Sequence, residues 1–475
     1  MATTSAQPVH RGEMQTTTLT VRAMVKQTCV MLLILGIACI PSNGKEIVLG
    51  ILIVAACFTP VLALECLAAG TIIYYVSSPF GEPGVAATTM VTVLKWVLMF
   101  AAFGRSLFSR VEPSAAYRRL MYCWAAMTAA LLFNAFFISI FPTISVFKAI
   151  SFSLGLLCAL RLAMLTAKRN SEMLLFIAAL GTAVFIASVP LLGMSAGRSR
   201  AGDKFNGILY HPQALGILLL MTGAAAFVTA IRAPQLQRAL VVAGLAQWLM
   251  ILLTRSRTPL MALALGGVVY LCEAFVRRGR DIRVRYLVSP VGVIAIVGLM
   301  IGVLITPGVK EDFLLYLQKD QGESVDFGNP ELSLSESSRG HQIFDTLGLA
   351  EEHPLFGAGF GVNGDSESNM AANGVQLGGI PLSAPVEQGF LPLASVAQLG
   401  IVGSLFVLPF LYLIFRLARQ ESGETSALFA VVLGVNLGEM IFFSVGGIGL
   451  LMWIILMLFA VRGDISHYAL RFARR

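Results

Sequence analysis

The sequence predicts an all-α polytopic membrane protein of about fourteen transmembrane helices carrying one large, partly helical extramembrane loop. Three observations predict it. Of the 475 residues, 57% are hydrophobic and only 13% are charged, against roughly 25% charged in a soluble domain; the mean hydropathy is +0.80. Apolar runs of about 20 residues recur along most of the chain, each long enough to cross a bilayer as a helix. Arginine and lysine gather in the short connections at 105–119, 168–169, 232–238, 277–285 and 416–419, which fall on one side if the runs simply alternate.

Hydropathy, punctuated by polar and Pro/Gly breaks, places the spans at 27–41, 47–64, 66–77, 86–104, 120–141, 143–165, 172–193, 210–231, 237–254, 259–276, 286–306, 390–415, 426–446 and 447–461. The stretch 47–77 is one apolar run broken only by Pro60 and Glu65, and reads as two short helices or one kinked one. Domain organisation follows: a tail over 1–26, eleven spans over 27–306, a polar loop over 307–389, three spans over 390–461 and a tail over 462–475. The connections holding Arg105, Arg110, Arg118 and Arg119, or Arg277, Arg278, Arg280, Arg283 and Arg285, set the cytoplasmic side by the positive-inside rule. Both tails then lie in the cytoplasm and loop 307–389 in the periplasm. The first 25 residues show no apolar core with a small-residue cleavage site, so no cleaved signal peptide is expected.

Composition excludes other classes. The 45 glycines have no three-residue period, which rules out a collagen-like chain, and so much apolar surface is incompatible with disorder. A net charge of +8 implies nucleic acid only when the basic residues share a soluble face, and here they sit between spans. The seven cysteines fall in or beside apolar runs without metal-site spacing, so no disulfide framework or metal site is expected.

Loop 307–389 has a charge character of its own. It holds thirteen of the 26 acidic residues but only three basic ones, Lys310, Lys319 and Arg339, as expected of a functional outer segment rather than a connection. Helical periodicity around His341 to Glu352 predicts that part of it is folded and docked.

Four outward-facing places concentrate chemistry. The first runs from Arg198 and Arg200 through Lys204 to His211 and Gln213. The second is Thr254-Arg255-Ser256-Arg257-Thr258, a hairpin too short to carry its arginines away from the membrane surface. Two readings of those arginines stand: snorkelling to lipid phosphates, or a clamp on an anionic substrate whose oxygens match the guanidinium fork. The third is Arg339 and His341, followed by His353-Pro354-Leu-Phe-Gly357-Ala-Gly359-Phe-Gly361. The glycine run follows no strand, so a tight, close-packed turn is its reading rather than a nucleotide loop. The fourth is Glu387-Gln388 before the twelfth span. Of the ionisable residues inside spans, Arg161 and Glu273 lie near cytoplasmic ends and read as snorkelling, while Lys95 and Glu439 lie deeper and read as a structural pair or interhelical hydrogen bond.

In this order, these places resemble the O-antigen ligase/polymerase family of bacterial envelope membrane proteins. The similarity covers roughly residues 200–415. Thr254-Arg-Ser-Arg257-Thr is similar to the family's Ser-Arg hairpin, Arg339 followed by His353-Pro-Leu-Phe-Gly-Ala-Gly-Phe-Gly361 to its loop pattern, and Gly207-Ile-Leu-Tyr-His-Pro-Gln-Ala-Leu-Gly216 to its span-leading turn. The resemblance implies a GT-C-like fold, no cofactor, and inverting, metal-independent glycan transfer on the outer face of the inner membrane. It implies an undecaprenyl-diphosphate-linked oligosaccharide as donor and another as acceptor, the bilayer as environment, and a flippase and a chain-length regulator as further partners. Arg255, Arg257, Arg339 and Lys204, with Arg198 and Arg200, would hold the diphosphate; Glu387, or its rival His341, would accept the proton. His353, Pro354, Gly357, Gly359 and Gly361 would shape the loop. Lys204 stands where the family has an arginine. Glu387-Gln388 stands where ligases carry His-Asn, which favours a polymerase, with a ligase and a lipid-linked oligosaccharide flippase as the alternatives.

Overall fold

The computed structural model describes residues 20–41, 43–77, 88–111, 114–198, 204–277, 338–362, 376–377, 380–381, 390–421 and 423–472. They form an all-α polytopic membrane protein with fourteen helices among the described residues. These are α1 (Val21–Ala38), α2 (Gly44–Ala56), α3 (Pro60–Ile73), α4 (Thr89–Leu107), α5 (Ala115–Phe133), α6 (Pro142–Leu165) and α7 (Asn170–Ser188). After them come α8 (Pro212–Arg232), α9 (Gln237–Leu253), α10 (Arg257–Arg277), α11 (Ser338–Glu352), α12 (Leu391–Glu421), α13 (Gly423–Gly438) and α14 (Ile448–Phe472). A two-residue antiparallel pair, Gln376–Leu377 with Ile380–Pro381, is the described β-structure. Among the described residues, eight helical segments are long and apolar enough to cross a membrane. The predicted span at 286–306 lies outside the described residues.

Helix starts follow local chemistry. Thr20, Thr59, Thr88 and Ser114 each accept a backbone N–H three residues on, capping α1, α3, α4 and α5. Thr59 with Pro60 at the first helical position resolves the ambiguous stretch 47–77 into two helices, because proline cannot continue α2 but is pre-set to begin α3. His211 caps α8 through Nδ1, which accepts from Gln213 N at 3.2 Å, and Pro212 follows it.

Helices α8 and α14 form the centre of the bundle: most of α8 is buried, and so is α14 from Ile448 to Val461. Between membrane helices, association depends on close approach and on polar side chains satisfied across the interface. Gln247 shows both. It accepts from Thr222 Oγ1 at 2.6 Å and donates to Thr182 Oγ1 at 3.2 Å, joining α7, α8 and α9 beside Gly181, where a Cβ has no room.

Two predicted spans are not continuous helices. In α12 the backbone breaks at Gly400 (φ 66°, ψ −178°). The predicted thirteenth span, 426–446, ends as helix at Gly438; residues 439–447 run as irregular backbone before α14. Asn436 turns the chain there, its Oδ1 accepting from Ile441 N at 3.0 Å and Phe442 N at 2.8 Å. Non-helical backbone at membrane depth survives only where protein or a cavity satisfies its polar groups, and both breaks border the site described below. Arg161, read from sequence as snorkelling, instead turns inward and donates to Ser106 O at 2.9 Å in the last turn of α4. Glu273, half-buried, pairs with the exposed Arg419 at 3.5 Å.

Candidate functional site

Helices alternate in direction, so α3, α5, α7, α9 and α13 end where α4, α6, α8, α10, α12 and α14 begin. Three of the four sequence-marked places lie at this end of the bundle, and the structure joins them.

The segment 204–211 is fixed on both sides. Phe205 N donates to Leu253 O at 3.2 Å and Asn206 N to Gly197 O at 2.9 Å, with Arg198 and Phe205 forming a β-bridge. Further on, Ser77 N donates to Ile208 O at 2.7 Å and Tyr210 N to Tyr75 O at 3.0 Å. One strip of backbone therefore runs from the arginine hairpin to the end of α3. Lys204 is half-buried and Arg198 exposed.

In the hairpin, Arg255 adopts φ 49°, a left-handed conformation that costs a non-glycine residue about 1–2 kcal/mol. Thr254 holds the turn by accepting from Ser256 N at 3.3 Å. Arg255 is exposed and Arg257 half-buried. Gly216 of α8 packs on Thr254, Ser256 and Pro259, and Gly438 packs on Thr258. The turn thus touches α8 on one side and the end of α13 on the other.

The glycine run is a re-entrant loop that docks into the break of α12. Ile401 N donates to Pro354 O at 3.0 Å and Val402 N to Leu355 O at 3.0 Å; in return Ala358 N donates to Ala397 O at 2.8 Å and Gly359 N to Gln398 O at 3.1 Å. The carbonyls and amides freed at Gly400 are thereby paired. Gly357 has φ 72° and lies on the Gln398 backbone, where any side chain would collide. Two buried amides clamp the loop: Asn134 donates to Phe356 O at 2.6 Å and accepts from Phe360 N at 2.9 Å, while Gln398 accepts from Gly361 N at 2.9 Å. Gly359 packs on Ser139 and Gly361 on Lys148. Phe360, fully buried, stacks edge-on with Phe443 at 5.1 Å and Phe152 at 5.6 Å. His353, half-buried, donates its N–H to Leu349 O and its carbonyl accepts from Gly357 N at 2.9 Å.

Helix α11 packs through Leu349 and Ala350 on Ala397 of α12 and Ala358 of the loop. Arg339 and His341 occupy positions on its first turn; their side chains lie outside the described residues, as do Arg200 and Glu387 altogether.

Beside these elements lies a cavity of about 500 Å3, within the roughly 300–1,000 Å3 range of small-molecule sites. Sequence reasoning did not assemble it. Lys95 and Lys148 each stand six residues into a helix that starts at this end, hence at the same depth of about 9 Å. Lys95 Nζ donates to Gly446 O at 2.7 Å and sits 3.9 Å from the Tyr74 ring centroid; Lys148 Nζ lies 5.7 Å from that of Phe360. Gln213 of α8 donates to the carboxylate of Glu439. Lys95 and Glu439 are thus two walls of one cavity rather than only a pair cementing helices. Tyr75 and Tyr210, both in its lining, stack in parallel with centroids 5.3 Å apart and planes 5° off. The equal offset appears only with the observed helix starts, Thr89 and Pro142; the predicted starts at 86 and 143 place the two lysines at unequal depths.

No curated protein sequence matches this chain. Residues 239–408, a little over a third of its length, match a family model described as O-Antigen ligase. That interval takes in the arginine hairpin, α11, the re-entrant loop and the break in α12, whereas the cavity residues Lys95, Lys148, Tyr210 and Glu439 flank it on either side. The match supports placing this multi-pass membrane protein in the O-antigen ligase/polymerase family.

Proposed function

We propose that the chain is a polysaccharide polymerase of the envelope, transferring a glycan from an undecaprenyl-diphosphate-linked donor to a sugar hydroxyl of a second lipid-linked repeat unit. The observation that carries this reading is that the Arg255–Arg257 hairpin, the 204–211 strip and the re-entrant loop lie at one end of the bundle, beside a cavity lined by both charged and aromatic side chains. A diphosphate held by Arg257, Arg255 and Lys204, with Arg339, Arg198 and Arg200 as further cations, leaves as an anion that guanidinium groups stabilise as it forms. The acceptor oxygen attacks the anomeric carbon, the bond from that carbon to the diphosphate breaks with inversion, and the proton passes to Glu387 or, as its rival, His341. The leaving lipid diphosphate makes the donor reactive without ATP, a nucleotide or a metal.

In this reading the arginine-rich ends face the cytoplasm and the hairpin faces the periplasm of the inner membrane. Glu387-Gln388, in place of the His-Asn of ligases, supports polymerase over ligase. A ligase is the first alternative; broken helices and deep charged residues are also features of transporters, which keeps a lipid-linked oligosaccharide flippase as the second alternative. Gel profiling of the surface glycan tests all three. Loss of the protein should leave single repeat units on the carrier and no long polymer; intact long polymer that is never attached would indicate a ligase, and units trapped on the cytoplasmic face a flippase.

A further inference from the structure

The cavity differs in kind from the arginine hairpin beside it. Its cations are engaged by its own walls: Lys95 by the Gly446 carbonyl and the Tyr74 face, Lys148 under Phe360. Gln213 and Glu439 add a carboxylate to that lining, which offsets the charge of one lysine and leaves the cavity less net positive charge than the arginine hairpin. A diphosphate is therefore better placed at the hairpin. An acyl or polyprenyl chain is no better an occupant, since it would set Lys95, Lys148, Gln213 and Glu439 against hydrocarbon.

A neutral, hydroxyl-rich ring with an apolar C–H face fits both halves of the lining. Tyr74, Tyr75, Trp96 and Tyr210 contribute aromatic surface with phenolic or indole tips to the lining. Lys95, Lys148 and Gln213 carry donors and Glu439 carries acceptors in the same lining, where hydroxyls would meet them. From this geometry we infer that the cavity is a saccharide-binding pocket in which Glu439, positioned by Gln213, reads sugar hydroxyls. It adjoins the proposed diphosphate clamp through Thr258 packed on Gly438, one residue before Glu439. The inference rests on the glycan-transfer reading and adds a site outside residues 239–408. Its occupant is the glycan of the donor or that of the acceptor.

The test uses the full-length protein in its own membrane. Phe147 lines the cavity and Leu249 on α9 is 65% exposed; each is replaced in turn by p-benzoylphenylalanine and irradiated. The Phe147 adduct should carry sugar, read by mass spectrometry, and the Leu249 adduct lipid only. Phe443, also in the lining, supplies a second position if the first variant does not accumulate. A Phe147 adduct without sugar overturns the pocket. Repeating the capture in an Arg257→Ala background assigns the source: adducts persisting with single repeat units mark the acceptor, and their disappearance marks the donor. Glu439→Gln should lower polymer at least tenfold at unchanged protein level, and wild-type output would also overturn the assignment. If deletion of the protein leaves the surface glycan unaltered, the glycan-transfer reading itself fails; deletion that removes polymer with a sugar-free adduct sinks the pocket alone.

Discussion

The side-chain amide of Gln213, in the first turn of α8, donates to the carboxylate of Glu439, just past the end of α13. Two helix ends that frame the cavity are therefore tied by a charge-assisted hydrogen bond, a class worth about 1.5–3 kcal/mol. Gln213→Leu removes that donor while keeping the side chain's bulk. The expected result is a fall in melting temperature in detergent corresponding to about 2 kcal/mol, with Gln213→Glu worse because two carboxylates then meet. A variant as stable as wild type would show that Gln213 is incidental to the wall.

Gly400 combines φ 66° with ψ −178°, a region held almost only by glycine, and lies on the carbonyl of Leu355. Gly400→Ala should cost about 3 kcal/mol or more, from strain plus displacement of the docked loop. Gly267 in α10 is an internal control, since nothing lies within 4 Å of a Cβ built there. Gly267→Ala should leave the melting temperature unchanged or raise it slightly. Thermal unfolding of the two purified variants side by side decides the point.

Asn134 spans the junction between α5 and the re-entrant loop with one donor and one acceptor bond. Asn134→Ala leaves the Phe356 carbonyl and the Phe360 N–H without these partners in a buried setting, at about 1–3 kcal/mol each. Limited proteolysis should then cut between 353 and 361 in the variant at protease levels that leave the wild-type protein intact. Asn134→Asp keeps only the acceptor for Phe360 N, and its cleavage rate should fall between the two.

Arg255 bears both a strained backbone and a charge, and two substitutions separate them. Arg255→Gly relieves the left-handed strain and should raise stability by about 1 kcal/mol; Arg255→Ala does not. Under the clamp proposal both lose polymer to a similar extent on a surface-glycan gel. Arg257→Ala should abolish polymer at normal protein level, and Arg257→Lys should restore only a small part, because an ammonium lacks the fork. Full activity in Arg257→Ala would defeat the clamp.

Orientation is open to chemical labelling. Glu351 on α11 is exposed, and Glu351→Cys should react with a membrane-impermeant maleimide added to intact spheroplasts, above the background set by the native cysteines. Labelling that requires permeabilised cells would place the proposed donor site on the wrong side of the membrane.

Much of the bundle was legible because lipid is an unforgiving solvent. A run such as 210–231 has few ways to satisfy its backbone except as a helix, and α8 runs from Pro212 to Arg232. The docked helix at 338–352 was readable from its periodicity, and the glycine run from its need for positive φ. What failed were the interruptions. Nothing local to Leu399-Gly400-Ile401 announces a break, since glycine is tolerated inside spans; the break exists because Pro354 and Leu355, some 45 residues earlier, supply the partners for its freed backbone groups. The end of α13 at Gly438 likewise depends on Asn436 reaching Ile441 and Phe442.

The sequence by itself determined that this chain crosses the membrane many times, which connections carry the positive charge, and that arginines stand at the other end in a Ser-Arg hairpin; each follows from composition or spacing within one segment. Only tertiary structure decided that Lys95, Lys148, Tyr210 and Glu439, spread over more than three hundred residues, face one cavity. Hydrophobicity fixes that a segment is a helix, but which of its faces meets which neighbour is set by side-chain packing and by polar groups that must find partners across helices, and no single segment contains that information.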